Sequence, residues 1–236
     1  MVFRLTVLFA MLGASPVLAQ SVQFDLGSGS LSLQSVQLFV LLTLLSLAPG
    51  IAMMVTCFPF MVTVLSILRQ AIGVQQAPPN MMIVSLAMFL TWFVMAPVFN
   101  QAWDTGVVPL MDGSIATQVA IDNIRAPFQT FMMGRVQQDT LDLMINSAPY
   151  APEEGEIPLS ILVPSFLLSE IQRGFEIGFL IFLPFLIIDL VIAAVLMSMG
   201  MMMVPPAVIA LPFKLAFFVL ADGWALVAGA LVQSYQ

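Results

Sequence analysis

Three ionisable side chains stand inside long apolar runs of this 236-residue chain: Asp189, Lys214 and Asp222. A charge in hydrocarbon costs about 2.5–3.5 kcal/mol on insertion scales, so each must face a protein interior or a partner. Such a set offers an ion pair or a proton relay. Asp189 and Lys214 lie almost equally far in sequence from a Gly/Pro-bounded turn, Gly200–Pro206. In an antiparallel helical hairpin they share a height, about 19 Å from the turn at about 1.5 Å per residue. Asp222 lies too far along the same helix to be a side-chain neighbour of Lys214. The pair can lock the hairpin, join neighbouring subunits, or carry protons. A relay needs further polar steps, and this hairpin offers few.

The turn holds a second unusual set. Met197, Met199, Met201, Met202 and Met203 crowd one short stretch. Methionine is flexible and polarizable and fits irregular surfaces. Three adjacent methionines in a tight turn cannot all enter one core. Several copies around an axis would form a soft apolar collar, and apolar constrictions gate by excluding water. Thioethers also bind Cu(I), but no histidine or cysteine stands by to help.

Histidine is absent and Cys57 is the only cysteine. This excludes a Cys/His zinc site, a Cys/His nucleophile pair, a Ser-His-Asp triad and an intrachain disulfide. No G-x-x-x-x-G-K-[ST] phosphate loop appears. The expectation is a non-enzyme without cofactor. Six Lys+Arg against thirteen Asp+Glu, a net charge of −7, cannot build a nucleic-acid patch.

The elements that position these residues follow from composition. The chain is 61% hydrophobic and 8% charged, with mean hydropathy +1.06. Soluble domains are about 25% charged, so this is a membrane protein or a subunit buried in a large assembly. Arg4, the apolar run Leu5–Leu12 and Val17-Leu18-Ala19 predict a signal peptide, residues 1–19, cleaved after Ala19. Residues 20–35 read as a Ser/Gly-rich lead-in. Residues 36–99 read as a first apolar helical hairpin, interrupted at Pro49-Gly50 and Pro59. Residues 36–68 would form one bent or broken hairpin-like helix and 80–99 a second span. Residues 100–174 carry most of the charges and read as an extracytoplasmic helical region. Within 117–147, Ile121, Ile124, Phe128, Phe131 and Met132 recur at helical spacing. Residues 175–236 read as the second apolar hairpin, with its Met-rich turn at 200–206. The fold class is all-α, with four spans. The signal peptide sets the orientation, and the positive-inside rule adds only Arg69.

These residues resemble a known family. Pro184–Met197 followed by Gly200–Pro206, Leu211-Pro-Phe-Lys-Leu215 and Phe218–Trp224 are similar to the flagellar biosynthetic protein FliP family. So are Leu68–Gly73, Ala77–Asn80, Phe89–Thr91 and Met95–Val98. The resemblance covers about residues 33–236. It implies a core subunit of the flagellar type III secretion export gate, in the bacterial inner membrane within the flagellar basal body. It further implies bent hairpins assembled into a ring, pentameric and completed by FliR and FliQ, with FlhB and FlhA as further partners. Unfolded rod, hook and filament subunits would pass through the centre. Met201, Met202 and Met203 match the family's methionine gasket. Asp189, Lys214, Arg135, Glu170 and Asp222 match charged positions that stabilise the gate or its interfaces. Phe128 and Phe131 match residues facing the pore or its plug. In assembled relatives the helices stand largely inside protein. One departure is Thr56-Cys-Phe-Pro-Phe60, where many relatives read Thr-Ser-Phe-Thr-Arg. The signal peptide favours the flagellar over the virulence branch. A small-solute or proton transporter is the competing class.

Overall fold

The computed structural model describes residues 31–74, 77–149, 157–201 and 203–235. The expected signal peptide, most of the lead-in, Met202 and most of the acidic 149–158 loop lie outside the described residues. Every element among those described is a helix. The chain divides into two units, Met1–Ser46 and Leu47–Gln236.

The first helix, α1 (Leu31–Met54), starts ahead of the expected lead-in boundary at 35. No residue of Ser35–Met54 is buried. Its apolar side chains run all round, as expected of a lipid-facing span. Pro49 sits inside α1 without ending it. The break comes at residues 55–57, just ahead of Pro59, so the apolar tract 36–68 is a broken helix of two pieces. The second, α2 (Phe58–Ile72), starts with Pro59 in its first turn, where the missing amide donor has no partner to lose. It ends at Gly73, whose φ of +84° is a left-handed cap.

The second unit is built around α2. Its buried Phe60, Met61, Val64, Leu65, Leu68 and Ala71 form the centre of the main core. Against it packs α3 (Asn80–Ala102) through Ile83, Ala87, Leu90 and Met95. A π-helical segment, Trp103–Val107, and the short α4 (Val108–Met111) prolong α3. The boundary expected at 99/100 therefore falls inside a continuous helical rod. Next come α5 (Thr117–Met133) and α6 (Gln138–Ser147). Then α7 (Leu159–Ser198) runs 40 residues and passes straight through the boundary expected at 174/175. It packs along α2 more extensively than any other pair of helices. Polar residues near Glu170 belong to the same rod as the apolar stretch after it, so composition divided what hydrogen bonding joins. The last span is likewise two helices, α8 (Pro206–Leu220) and α9 (Gly223–Gln233), bent by 61°.

Among the described residues, three helical stretches are long and apolar enough to cross a membrane: Ser35–Met54, Asn80–Met111 and Leu159–Ser198. Counting the bent α8–α9 pair as one gives four.

Candidate functional site: the α7–α8 hairpin and its charge clusters

The methionine turn is built by a helix cap. At the end of α7, Gly200 N–H donates to the Met197 carbonyl (3.0 Å) and Met201 N–H to the Leu196 carbonyl (2.9 Å). This paired closure is the Schellman motif, and it needs a left-handed residue. Gly200 supplies it, with φ +76°. Pro205 and Pro206 then start α8, with Pro206 in the first turn. The cap turns Met201 and Met203 outward; Met203 is 97% exposed. Met197 and Met199 are exposed as well.

Behind the turn, the structure brings Asp189 and Lys214 together within one chain. Lys214 Nζ donates to Asp189 Oδ2 at 2.6 Å. It also donates to the Ala71 carbonyl at 3.1 Å. That carbonyl belongs to the last turn of α2, where acceptors lack helical partners and the helix dipole is negative. Lys214 therefore ties α7, α8 and the end of α2 into one junction. Gly73 lies beside it; a Cβ there would stand 3.9 Å from the Lys214 Nζ. Asp222 is not part of this junction. It sits exposed at the α8–α9 bend, at φ +50°, and makes no side-chain cap bond to α9. The bend is wedged shut, because a Cβ on Gly223 would stand 2.2 Å from the Phe218 ring.

A second charge cluster occupies the opposite part of α7. Glu170 is fully buried, and Arg135 Nε donates to its Oε1 at 3.4 Å. Arg173 Nη1 lies 3.6 Å from the same oxygen. The Tyr235 hydroxyl donates to Oε2. Arg135 also donates to the Ser234 carbonyl at 2.8 Å, and its guanidinium lies 4.0 Å from the Tyr235 ring centroid. A buried carboxylate persists only when its lone pairs are filled in this way. Burial, then the Glu170 charge, push the Tyr235 phenol upward. Burial pushes the nearby Cys57 thiol up to about 12.

Phe128 and Phe131 are half-buried among the chain's own aromatics. Phe128 meets Phe99 edge-on at 5.6 Å. Phe131 meets Phe166 edge-on at 5.7 Å and stacks on Tyr235 at 6.1 Å.

Sequence reasoning missed Arg173, Tyr235 and the glycine pair Gly174 and Gly178. The pair sits where α7 touches α2: a Cβ on Gly174 would stand 3.1 Å from Thr63, and one on Gly178 would stand 2.4 Å from Ile67. Its signal was present, since G-x-x-x-G in an apolar helix marks close helix contact. Glu170 and Arg173 also had helical i,i+3 spacing. Nothing local marks Tyr235.

The FliP family model matches residues 41–231. The chain belongs to the FliP family. The flagellar biosynthetic protein FliP of Caulobacter vibrioides is 50% identical over 230 residues, covering 96% of this chain and 86% of that protein. The Agrobacterium fabrum protein of the same name is 48% identical, covering 99% of each chain. That of Bacillus subtilis is 47% identical, covering 85% of this chain and 92% of its own. As a FliP-family member the chain is a flagellar type III export-gate subunit, a structural component of the export apparatus rather than an enzyme. It acts among the other components of that apparatus, and its apolar helices suggest a membrane location.

Proposed function

We propose that copies of this FliP-family chain close into a five-fold ring whose central opening conducts unfolded rod, hook and filament subunits. FliR and FliQ complete the ring, and FlhB and FlhA join it in the inner membrane, within the flagellar basal body. The Met201–Met203 turn is the seal. The observation that carries this reading is the outward presentation of Met201 and Met203 by a rigid Schellman cap. An apolar tip facing outward finds no core in its own chain. Repeated around an axis it forms a soft collar that yields to a passing polypeptide and otherwise excludes water.

The charge clusters serve the seal by fixing its supports. Asp189–Lys214 sets the height of α8 against α7 and α2. Arg135–Glu170 fixes α7 against the α5–α6 turn, and Asp222 marks the bend between α8 and α9. Phe128 and Phe131 border the conduit. The leader, residues 1–19, is removed after Ala19 and sets the orientation.

The test is export. Deleting the gene and assaying hook and filament proteins in the medium should abolish them, and the returned gene should restore them. Untouched export would end the proposal. Replacing Met201–Met203 together by Ala should then make membranes leak ions and small solutes. Membranes as tight as wild type would remove the methionines from the seal.

A further inference from the structure

Tyr235 touches more of the second unit than any local signal would suggest. Its ring meets Phe60 of α2 edge-on at 5.5 Å and stacks on Phe131 of α5 at 6.1 Å. The Arg135 guanidinium, just after α5, covers the same ring at 4.0 Å. Its hydroxyl donates to the buried Glu170 of α7. The backbone beside it is held too, since Arg135 donates to the Ser234 carbonyl at 2.8 Å. One side chain thus bridges α2, α5 and α7 from a segment that itself follows α9.

We propose that Tyr235 is a latch: its ring and hydroxyl close the Arg135–Glu170 pair, and its release opens the core beneath, down to Cys57. The geometry supports this order of events. Phe60, one turn from Cys57, is the residue on which the Tyr235 ring rests. Cys57 itself is fully buried. α9 is attached to the rest through a sharp bend at Asp222 and a short set of side chains centred on Leu231. Local opening is expected where few contacts hold an element. Losing Tyr235 removes a charge-assisted hydrogen bond, a cation–π contact and two ring contacts at once.

Cys57 is the only cysteine in the chain, so it is a native reporter. The experiment measures N-ethylmaleimide labelling of Cys57 in native membranes containing the assembled export apparatus. Its readout is independent of export and of the sealing role given to the methionines. Tyr235→Phe removes the hydroxyl alone and should raise the labelling rate about tenfold, the loss expected for one hydrogen bond to a charged group. Tyr235→Ala should raise it further. Leu141→Ala, a buried change in α6, controls for general loosening and should leave labelling near the wild-type rate. Wild-type rates in Tyr235→Phe would overturn the latch, as would equal acceleration in Leu141→Ala. If Tyr235→Ala fails to accumulate, Tyr235→Phe against that control decides.

Discussion

The two halves of α7 follow different rules. From Leu159 to Gly178 it buries eight residues, with Ile161, Leu162 and Phe166 packed beside the small or polar Ser165, Ser169, Glu170, Gly174 and Gly178. From Phe179 onward only Phe185 and Leu196 are buried, while Phe179, Leu180, Ile187, Leu190 and Val191 face outward. The first half lets helices approach closely and gives its buried serines hydrogen-bond partners. Ser165 donates to the Ile161 carbonyl, and Ser169 to that of Ser165 while accepting the Gln137 N–H. The second half meets the core and α8 through Phe185, which packs edge-on against Phe217 at 5.8 Å, and leaves most of its large apolar side chains exposed. One continuous helix thus joins a packed frame to an end whose apolar side chains stay exposed, and the methionine turn lies at that end.

Glu170→Ala is the strongest way to break the frame. It leaves the half-buried Arg135 and Arg173 without their carboxylate and should cost about 3 kcal/mol, the low end for breaking a buried pair because both arginines keep some solvent. Thermal unfolding of the detergent-purified complex, or its failure to accumulate in membranes, reads this directly. Gly178→Val comes next. Its first side-chain atom would meet Ile67 at 2.4 Å, and such overpacking costs about 1–3 kcal/mol. The same unfolding assay should show a lower midpoint, with the matching change Ile187→Val on the outward half giving a smaller one.

Lys214→Met tests the junction between the halves. Asp189 is one-third exposed, so water relieves part of the loss. Removing the two hydrogen bonds should cost about 1 kcal/mol, less than Glu170→Ala, by the same melt. A cost equal to that of Glu170→Ala would contradict the contrast drawn between the two clusters.

Alkaline pH probes the frame more gently. The Cys57 thiol is raised from 9.0 to about 12 by burial. Its contribution is complete below pH 9.0 and is lost as pH rises through that window, because the unfolded chain then releases the proton first. Cys57→Ala should flatten the fall of the unfolding midpoint between pH 9.0 and about 12 and leave its slope below pH 9.0 unchanged. Met203→Ala is the smallest perturbation of stability, within about 0.5 kcal/mol, because the side chain is almost fully exposed.

Much of this was legible in the sequence, for reasons that differ by element. Charges in hydrocarbon are costly enough that Asp189 and Lys214 had to find partners, and their positions about a Gly/Pro turn put them at one height. Helix limits were harder. Of the two interruptions expected, Pro49-Gly50 leaves its helix unbroken, and the break falls at residues 55–57, just ahead of Pro59. The charged composition of 100–174 concealed that α3 and α7 run across both its edges. Hydrogen bonding continues through a helix whatever its side chains carry. Tyr235 was invisible because its partners come from Phe60, Phe131, Arg135 and Glu170, all distant in sequence.

In the proposed ring, the open end of the α7–α8 hairpin faces its counterparts in neighbouring copies. Met203→Cys in a Cys57→Ser background places one thiol at the tip. Short bismaleimide cross-linking in native membranes, read on denaturing gels, should then yield dimers of this chain. A cysteine at Gly178, inside the frame, should yield none. Monomers alone from Met203→Cys, in membranes that still export hook protein, would contradict the account.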